Sequence, residues 1–568
     1  MRMLSAAQAG RWDEASDVLL DCQQYPPAYP VLLAGVQSVT GVSELACRRT
    51  GRVLRAFGVL GAWLLAVEVL RRRRAEAAVS SSATGASSAG GVSSATGVSS
   101  AVGVSSASSD AWSPRELFAA VLAPFLLFFS PLFQHYSGSL FLEVPFAVAS
   151  LFALRAWLRR ADESAQRPLV RELAAGAWIA LCVFTKWNYG LLLGAGLAAA
   201  WLFEAFDALR AKHIGRFAVR TLFLAAVPVL AFLWWFVLPL PRGPELGALH
   251  RASFLAFLQG NQDASMATSW AARALDWALA FLPSARALLV ALVGLLLVLP
   301  WALRGSVRAL LLALLASALP VALHPFHLDR FLVPQLVLVC VLAAIGLSRL
   351  APRSLGGAAL AFALLAALAL VAPTAEHGLV LRASGLAQDE PATRAYQLDT
   401  LAEAASSASD RRLRTAGVER AVHDALLDAL ARDAGPNARV GWLGVNPEFP
   451  PAAIHLGLLA RGGSAERFRR DSGRTRSDGK FDMIVTHEFV DPGWNDEQIR
   501  GWARGFDVVC VTQPMDWKGR AAKEVLARYR DVLLKDGEWK AAPLATVEVA
   551  RAMREPLGVQ LVALRRSK

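Results

Sequence analysis

Ten apolar stretches between residues 53 and 374 constrain this chain more than any other feature of its sequence. They run at about 53–70, 116–134, 140–158, 170–185, 189–206, 218–240, 283–303, 307–323, 331–348 and 355–374. A bilayer core takes a helix of roughly 17–25 apolar residues. Within lipid, only helices and closed barrels satisfy their own backbone groups. With 55% hydrophobic and 18% charged residues over 568 positions, the expected fold class is a polytopic α-helical membrane protein with a different domain at its C-terminal end.

That domain begins near residue 375, where the composition turns ordinary. Apolar runs at 439–445, 481–486 and 508–512 alternate with helical patterns at 495–505 and 519–533, and 544–550 and 559–564 add two terminal strands. This is the pattern of a small soluble α/β domain. Gly441-Trp442-Leu443-Gly444 lacks the spacing of a phosphate loop and lies inside a strand, so no second catalytic site is read there.

Basic residues give the orientation. Arg71–Arg74, then Arg159, Arg160, Arg167 and Arg171, then Arg210, Lys212, Arg216 and Arg220, then Arg304 and Arg308, then Arg349 and Arg353 fall in every second loop. The positive-inside rule places those loops in the cytoplasm. The net charge of +13 is therefore topogenic, and no nucleic-acid partner is expected. Loops 135–141, 186–188, 241–282 and 324–330 become external, as does the tail. Span 53–70 must then run inward, which leaves 1–52 as an external juxtamembrane segment with an interfacial helix at 31–47. No signal peptide precedes it, so Met1 is expected to be an internal start with a helix lost upstream. Residues 79–110 are slipped Val-Ser-Ser-Ala units, the core of a flexible cytoplasmic linker assigned to 75–113. Five cysteines without a CxxC pair point to neither a metal site nor a disulfide framework, and no cofactor is expected.

Three charged residues share the external ends of the spans. Glu143 follows Gln134-His135-Tyr136-Ser137-Gly138-Ser139-Leu140-Phe141-Leu142, and an ionisable group at the membrane edge is a functional candidate. The competing reading is a helix start, since Pro145 follows. Lys186 between two short spans is either functional or a lysine snorkelling from a helix end. Arg330 is either functional or the partner of Asp329. His135 and Tyr136 neighbour Glu143. His324, His327 and Asp263 read as loop residues that could also touch a ligand.

A resemblance then becomes specific. Tyr25-Pro26-Pro27-Ala28-Tyr29-Pro30 resembles the PPLYP-type motif of the GT-C superfamily of integral-membrane glycosyltransferases, relatives of bacterial dolichyl-phosphate-mannose-protein mannosyltransferases and aminoarabinose transferases. Glu143 with Pro145, Gly176 with Thr185-Lys186, and Arg330-Phe331-Leu332-Val333-Pro334 match further features in order. The match covers residues 1–374. It implies a GT-C-like helical bundle at 53–374 in a bacterial inner membrane, with a periplasmic α/β domain at 375–568. It implies transfer of a sugar from a polyprenyl-phosphate donor to a lipid, polysaccharide or protein acceptor at the external face. Glu143 would be catalytic, Lys186 and Arg330 would bind the donor phosphate, and His135, Tyr136, Tyr29 and His327 would stand around them. Aligning Ala9-Gly10-Arg11-Trp12 with the family places its principal catalytic Asp just before Met1. Asp13-Glu14 resembles that acidic pair but lies too close to Pro26. The rival class is a secondary transporter or lipid flippase, in which internal repeats and midplane broken helices are expected. A catalytically dead scaffold is the third reading.

Overall fold

The computed structural model describes residues 27–40, 44–88, 112–137, 142–160, 167–237, 285–302, 305–323, 329–370, 427–432, 440–443, 484–485, 495–513, 520–535, 537–551 and 554–566, with isolated positions 10, 248, 425, 435, 458 and 461. Up to residue 370 it is helical. In chain order the helices are α1 (Ala28–Thr40), α2 (Glu44–Ser88), α3 (Pro114–Phe129), α4 (Pro131–Ser137), α5 (Glu143–Arg160), α6 (Pro168–Thr185) and α7 (Trp187–Arg210). There follow α8 (Ile214–Phe232, prolonged by a π turn at Leu233–Val237), α9 (Ala285–Val298), α10 (Gly305–Leu323), a 3-10 turn at Asp329–Leu332, α11 (Val333–Leu347) and α12 (Leu355–Leu370).

Every expected span is helical over its described residues, but only five described stretches are long and apolar enough to cross a membrane. These are Arg49–Ala77, Pro168–Thr185, Trp187–Arg210, Ile214–Trp235 and Gly305–Ala322. Several of the others are cut short by identifiable residues. Ser130 and Pro131 break 116–134 into α3 and α4, α9 gives way to a 3-10 turn at Leu299–Trp301 that contains Pro300, and Pro334 fixes the start of α11. The linker expected at 75–113 is corrected at its first end. Helix α2 continues through Ser88, because extending an existing helix costs much less than nucleating one. Residues 89–111 lie outside the described residues, as do 1–9 and 11–26, and with them Asp13, Glu14, Tyr25 and Pro26.

Helix α11 is the hub. All 15 of its residues are buried, as befits a helix that is apolar on every side, and it packs against α9, α3, α5, α10 and α2. Small residues set the closest approach. A Cβ on Gly294 of α9 would lie 2.5 Å from the Ala343 carbonyl oxygen, and one on Gly346 would fall on the Gly294 carbonyl oxygen. Close backbone approach of this kind is how helices gain van der Waals contact where no hydrophobic drive separates helix from lipid. Large side chains such as Leu222, Leu230, Leu296, Leu319 and Leu360 are more than half exposed, the surface of a bundle meant for lipid.

One set of helix ends is laced by ion pairs. Arg160 of α5, 3% exposed, reaches Glu172 of α6 at 3.5 Å and Glu204 of α7, and lies over the Trp157 ring at 3.8 Å. Arg220 of α8 adds a 2.7 Å contact to Glu172, which is wholly buried. Arg74 of α2 pairs with Glu116 of α3, and Glu68 with Arg71 at 2.7 Å. These pairs join the basic helix ends that the loop charges assigned to one side. Glu143 and Lys186 stand at the opposite ends of α5 and α6.

Beyond residue 424 the described residues form a five-stranded mixed sheet in the order β2-β1-β3-β5-β4. Its strands are β1 (Val440–Leu443), β2 (Ile484–Val485), β3 (Val508–Gln513), β4 (Trp539–Arg551) and β5 (Arg554–Arg566), with helices α13 (Asp496–Ala503) and α14 (Arg520–Lys535). β1 pairs in parallel with β2 and β3, and the β4–β5 hairpin adds antiparallel to β3. Ile499, Phe506, Val509, Tyr529, Leu533 and Trp539 fill its core. Gly441 sits within β1, where an added Cβ would come 2.9 Å from the Phe506 ring, so its role is packing.

Two outcomes follow. Gly346→Val drives a branched side chain into the α9 backbone and should cost about 1–3 kcal/mol, read as a lower unfolding temperature in detergent. Cys510, fully buried in β3, has its thiol pushed up to about 12 by burial. A maleimide should therefore label it at neutral pH only after denaturant opens the sheet.

Candidate functional site

The face opposite the arginine network is built from three breaks in the helices. Helix α6 ends at Thr185 and α7 begins at Trp187, and Lys186 between them takes an extended conformation (φ −155°, ψ 97°) that belongs to neither. Helix α5 opens on Glu143. The 3-10 turn Asp329–Leu332 leads into α11.

The Lys186 ammonium donates to Glu143 Oε1 at 2.5 Å across 43 residues of sequence. Glu143 is 2% exposed and Lys186 9%. This corrects the snorkelling alternative for Lys186: the ammonium turns inward to a carboxylate. It also joins two residues that the sequence treated as having separate roles. The helix-start reading of Glu143 describes its position in the first turn of α5 but not what its carboxylate does. Taking both charges out of water is costly, and their attraction offsets that cost only with good geometry and further hydrogen bonds.

Aromatic rings complete the surroundings. The Lys186 ammonium lies 4.8 Å from the centre of the Tyr189 ring and 5.5 Å from that of Phe331, within reach of cation–π attraction. The Tyr189 hydroxyl donates to the Phe331 carbonyl at 3.1 Å, and its ring packs on Phe146 at 5.5 Å. Phe184 and Trp187, on either side of the break, cluster with Trp234 and Trp235 of the π turn. A π turn inserts one residue into a helix and is common where a helix is shaped for function.

The other sequence candidates are distributed as follows. Arg330 lies in the turn Asp329–Leu332, immediately before Phe331; its side chain is outside the described residues. Helix α4, which carries His135 and Tyr136, contacts both that turn and α5. Tyr136 is buried, and the His135 side chain is outside the described residues. Tyr29 is buried in the first turn of α1, which packs on α2 and α6. His324, His327 and Asp263 lie outside the described residues. Among the described residues, no group of three His, Cys, Asp or Glu side chains could hold a metal.

Sequence reasoning missed Tyr189, Phe146 and the π turn. Tyr189 had a usable signal in its closeness to Lys186, three positions along the chain. Phe146 lies three positions after Glu143 on α5, where residues so spaced share a helix face. The π turn had none.

No family model matches the chain, and no curated protein matches it. Solved structures that resemble it include ArnT from Cupriavidus metallidurans bound to undecaprenyl phosphate, with 15% identity over 95% of this chain and 88% of that one at a TM-score of 0.48. The apo oligosaccharyltransferase of Archaeoglobus fulgidus shares 13% identity over 92% of this chain and 65% of that one, also at a TM-score of 0.48. Likenesses this distant decide nothing about chemistry, which rests on the residues of this chain.

The buried pair makes a testable demand on stability. Glu143→Gln or Lys186→Met leaves one charge buried without its partner and should destabilise by about 3–5 kcal/mol. The double variant should recover most of that loss in denaturant unfolding, since replacing both partners removes the uncompensated charge.

Proposed function

We propose that this chain is a membrane glycosyltransferase of the GT-C type, moving a sugar from a polyprenyl-phosphate donor to a lipid, polysaccharide or protein acceptor at the external membrane face. The observation that carries this reading is the buried Lys186–Glu143 pair, set at a break between apolar helices beside the turn that bears Arg330. The ordered motifs of residues 25–334 support it independently. The alternation of basic helix ends on the opposite face supports the orientation.

The chemistry needs three things: a group that accepts the acceptor's hydroxyl proton, cations that answer the departing phosphate, and an apolar path for the isoprenoid. Glu143 orients the acceptor hydroxyl and takes up its proton as oxygen attacks the anomeric carbon. The bond from that carbon to the phosphate oxygen breaks, and the electron pair leaves with the polyprenyl phosphate. Lys186 and Arg330 stabilise that leaving charge. The broad apolar helix faces let the polyprenyl tail stay in lipid while its phosphate reaches the helix break.

The observed pair adds a condition to this scheme. Lys186 is committed to Glu143, so a donor phosphate must compete for the ammonium or share it. Either way, phosphate binding loosens the grip of Lys186 on the Glu143 carboxylate. Donor binding thus prepares the carboxylate for the acceptor.

The region 375–568 acts in this scheme as a soluble α/β domain on the external side, contributing to acceptor binding or packing. The bacterial inner membrane is the compartment that fits such a donor.

The test uses isolated membranes and a radiolabelled polyprenyl-phosphate sugar. Glu143→Gln and Arg330→Ala should each lower transfer at least tenfold, a barrier change of about 1.4 kcal/mol. Full transfer by both variants overturns the assignment. Movement of the labelled lipid between leaflets without sugar transfer would establish the flippase reading instead.

A further inference from the structure

The candidate charges come from three separate elements, and one side chain touches all three. Tyr189, 3% exposed in the first turn of α7, lies under the Lys186 ammonium with its ring. The same ring packs on Phe146, one turn along α5 from Glu143. Its hydroxyl donates to the Phe331 carbonyl in the turn that carries Arg330.

We propose that Tyr189 is the positioning residue of the donor-phosphate site. It sets the spacing between Lys186 and the Arg330 turn and so tunes affinity for the anionic head of the donor. The inference rests on the glycosyltransferase reading above. Two physical points carry it. A buried hydroxyl is retained only where it finds a partner, because leaving one unmade costs more than an apolar isostere would. Here the partner is the backbone carbonyl of the residue next to Arg330, so the bond fixes main chain and not merely another rotamer. The ring meanwhile holds the ammonium from the other side, by packing and cation–π attraction. One residue therefore registers the lysine against the backbone beside the arginine, through a bond between positions 142 apart in sequence. A phosphate held by two cations needs that spacing fixed before it arrives, since ordering it afterwards would subtract from binding.

The experiment is Tyr189→Phe, which deletes the hydroxyl and keeps the ring on Lys186 and Phe146. Initial rates are measured against donor concentration, and binding of undecaprenyl phosphate to the purified protein is measured separately, with Lys186→Met alongside. The expected result is a donor KM raised about tenfold with kcat changed less than about twofold, the signature of lost ground-state binding. Undecaprenyl phosphate should bind about tenfold more weakly to Tyr189→Phe, and Lys186→Met should lose binding altogether. A merely structural tyrosine would behave differently: less folded enzyme, a lower apparent kcat and an unchanged KM. That pattern overturns the inference, as does wild-type KM in Tyr189→Phe while Lys186→Met still abolishes binding; both leave the glycosyltransferase reading standing. Wild-type protein that binds no undecaprenyl phosphate and transfers no sugar removes both.

Discussion

A bilayer offers a charge no water, so each ionised side chain in this fold has to be answered by protein at the ends of the helices. The structure meets that constraint in two ways on its two faces. On one face, arginines from successive helix ends converge on Glu172, Glu204, Glu68 and Glu116, each acid shared or held at close range. That face is a clamp: several charges in a network lock the helix ends together, and loss of one contact leaves others. On the opposite face Lys186 meets Glu143, ringed by aromatic side chains. A buried lysine–carboxylate pair of this kind is an arrangement that an incoming anion can disturb. The two faces thus answer charge differently, one with arginines and acids at several helix ends and the other with a lysine and a carboxylate among aromatic rings.

Much of the helical architecture was legible in the sequence because the bilayer writes it in composition. The ten apolar stretches and the basic residues in alternate loops need no tertiary knowledge to read. What escaped was governed by contacts between segments. The span at 116–134 is two helices because Ser130 and Pro131 interrupt it. The linker begins later than its low complexity implied, since residues 79–88 continue α2. In the C-terminal region each expected strand and helix has its counterpart, while the pairing of β5 between β3 and β4 could not be read from local pattern.

The candidate site was legible as residues and not as relations. Glu143 and Lys186 stood out because each is a charge beside apolar sequence, but nothing in one chain links positions 43 apart. Their direct contact changes the chemistry, since each is then the other's first ligand. Tyr189 did not stand out, because a tyrosine beside an apolar span carries no charge to mark it. Only its three simultaneous contacts set it apart. Arg330 remains a position in a turn, argued from sequence and from the contact of the neighbouring Phe331 carbonyl with Tyr189.

The meeting of Gly294 and Gly346 has a kinematic consequence. Two helices whose backbones touch cannot slide or roll past one another without collision, so α9 and α11 move as one rod. Because α11 is enclosed on every side, that rod is the stator of the bundle, and the turn at its head inherits its stillness. Rearrangement within the bundle falls instead to the peripheral helices, such as α8 with its π turn and Pro228.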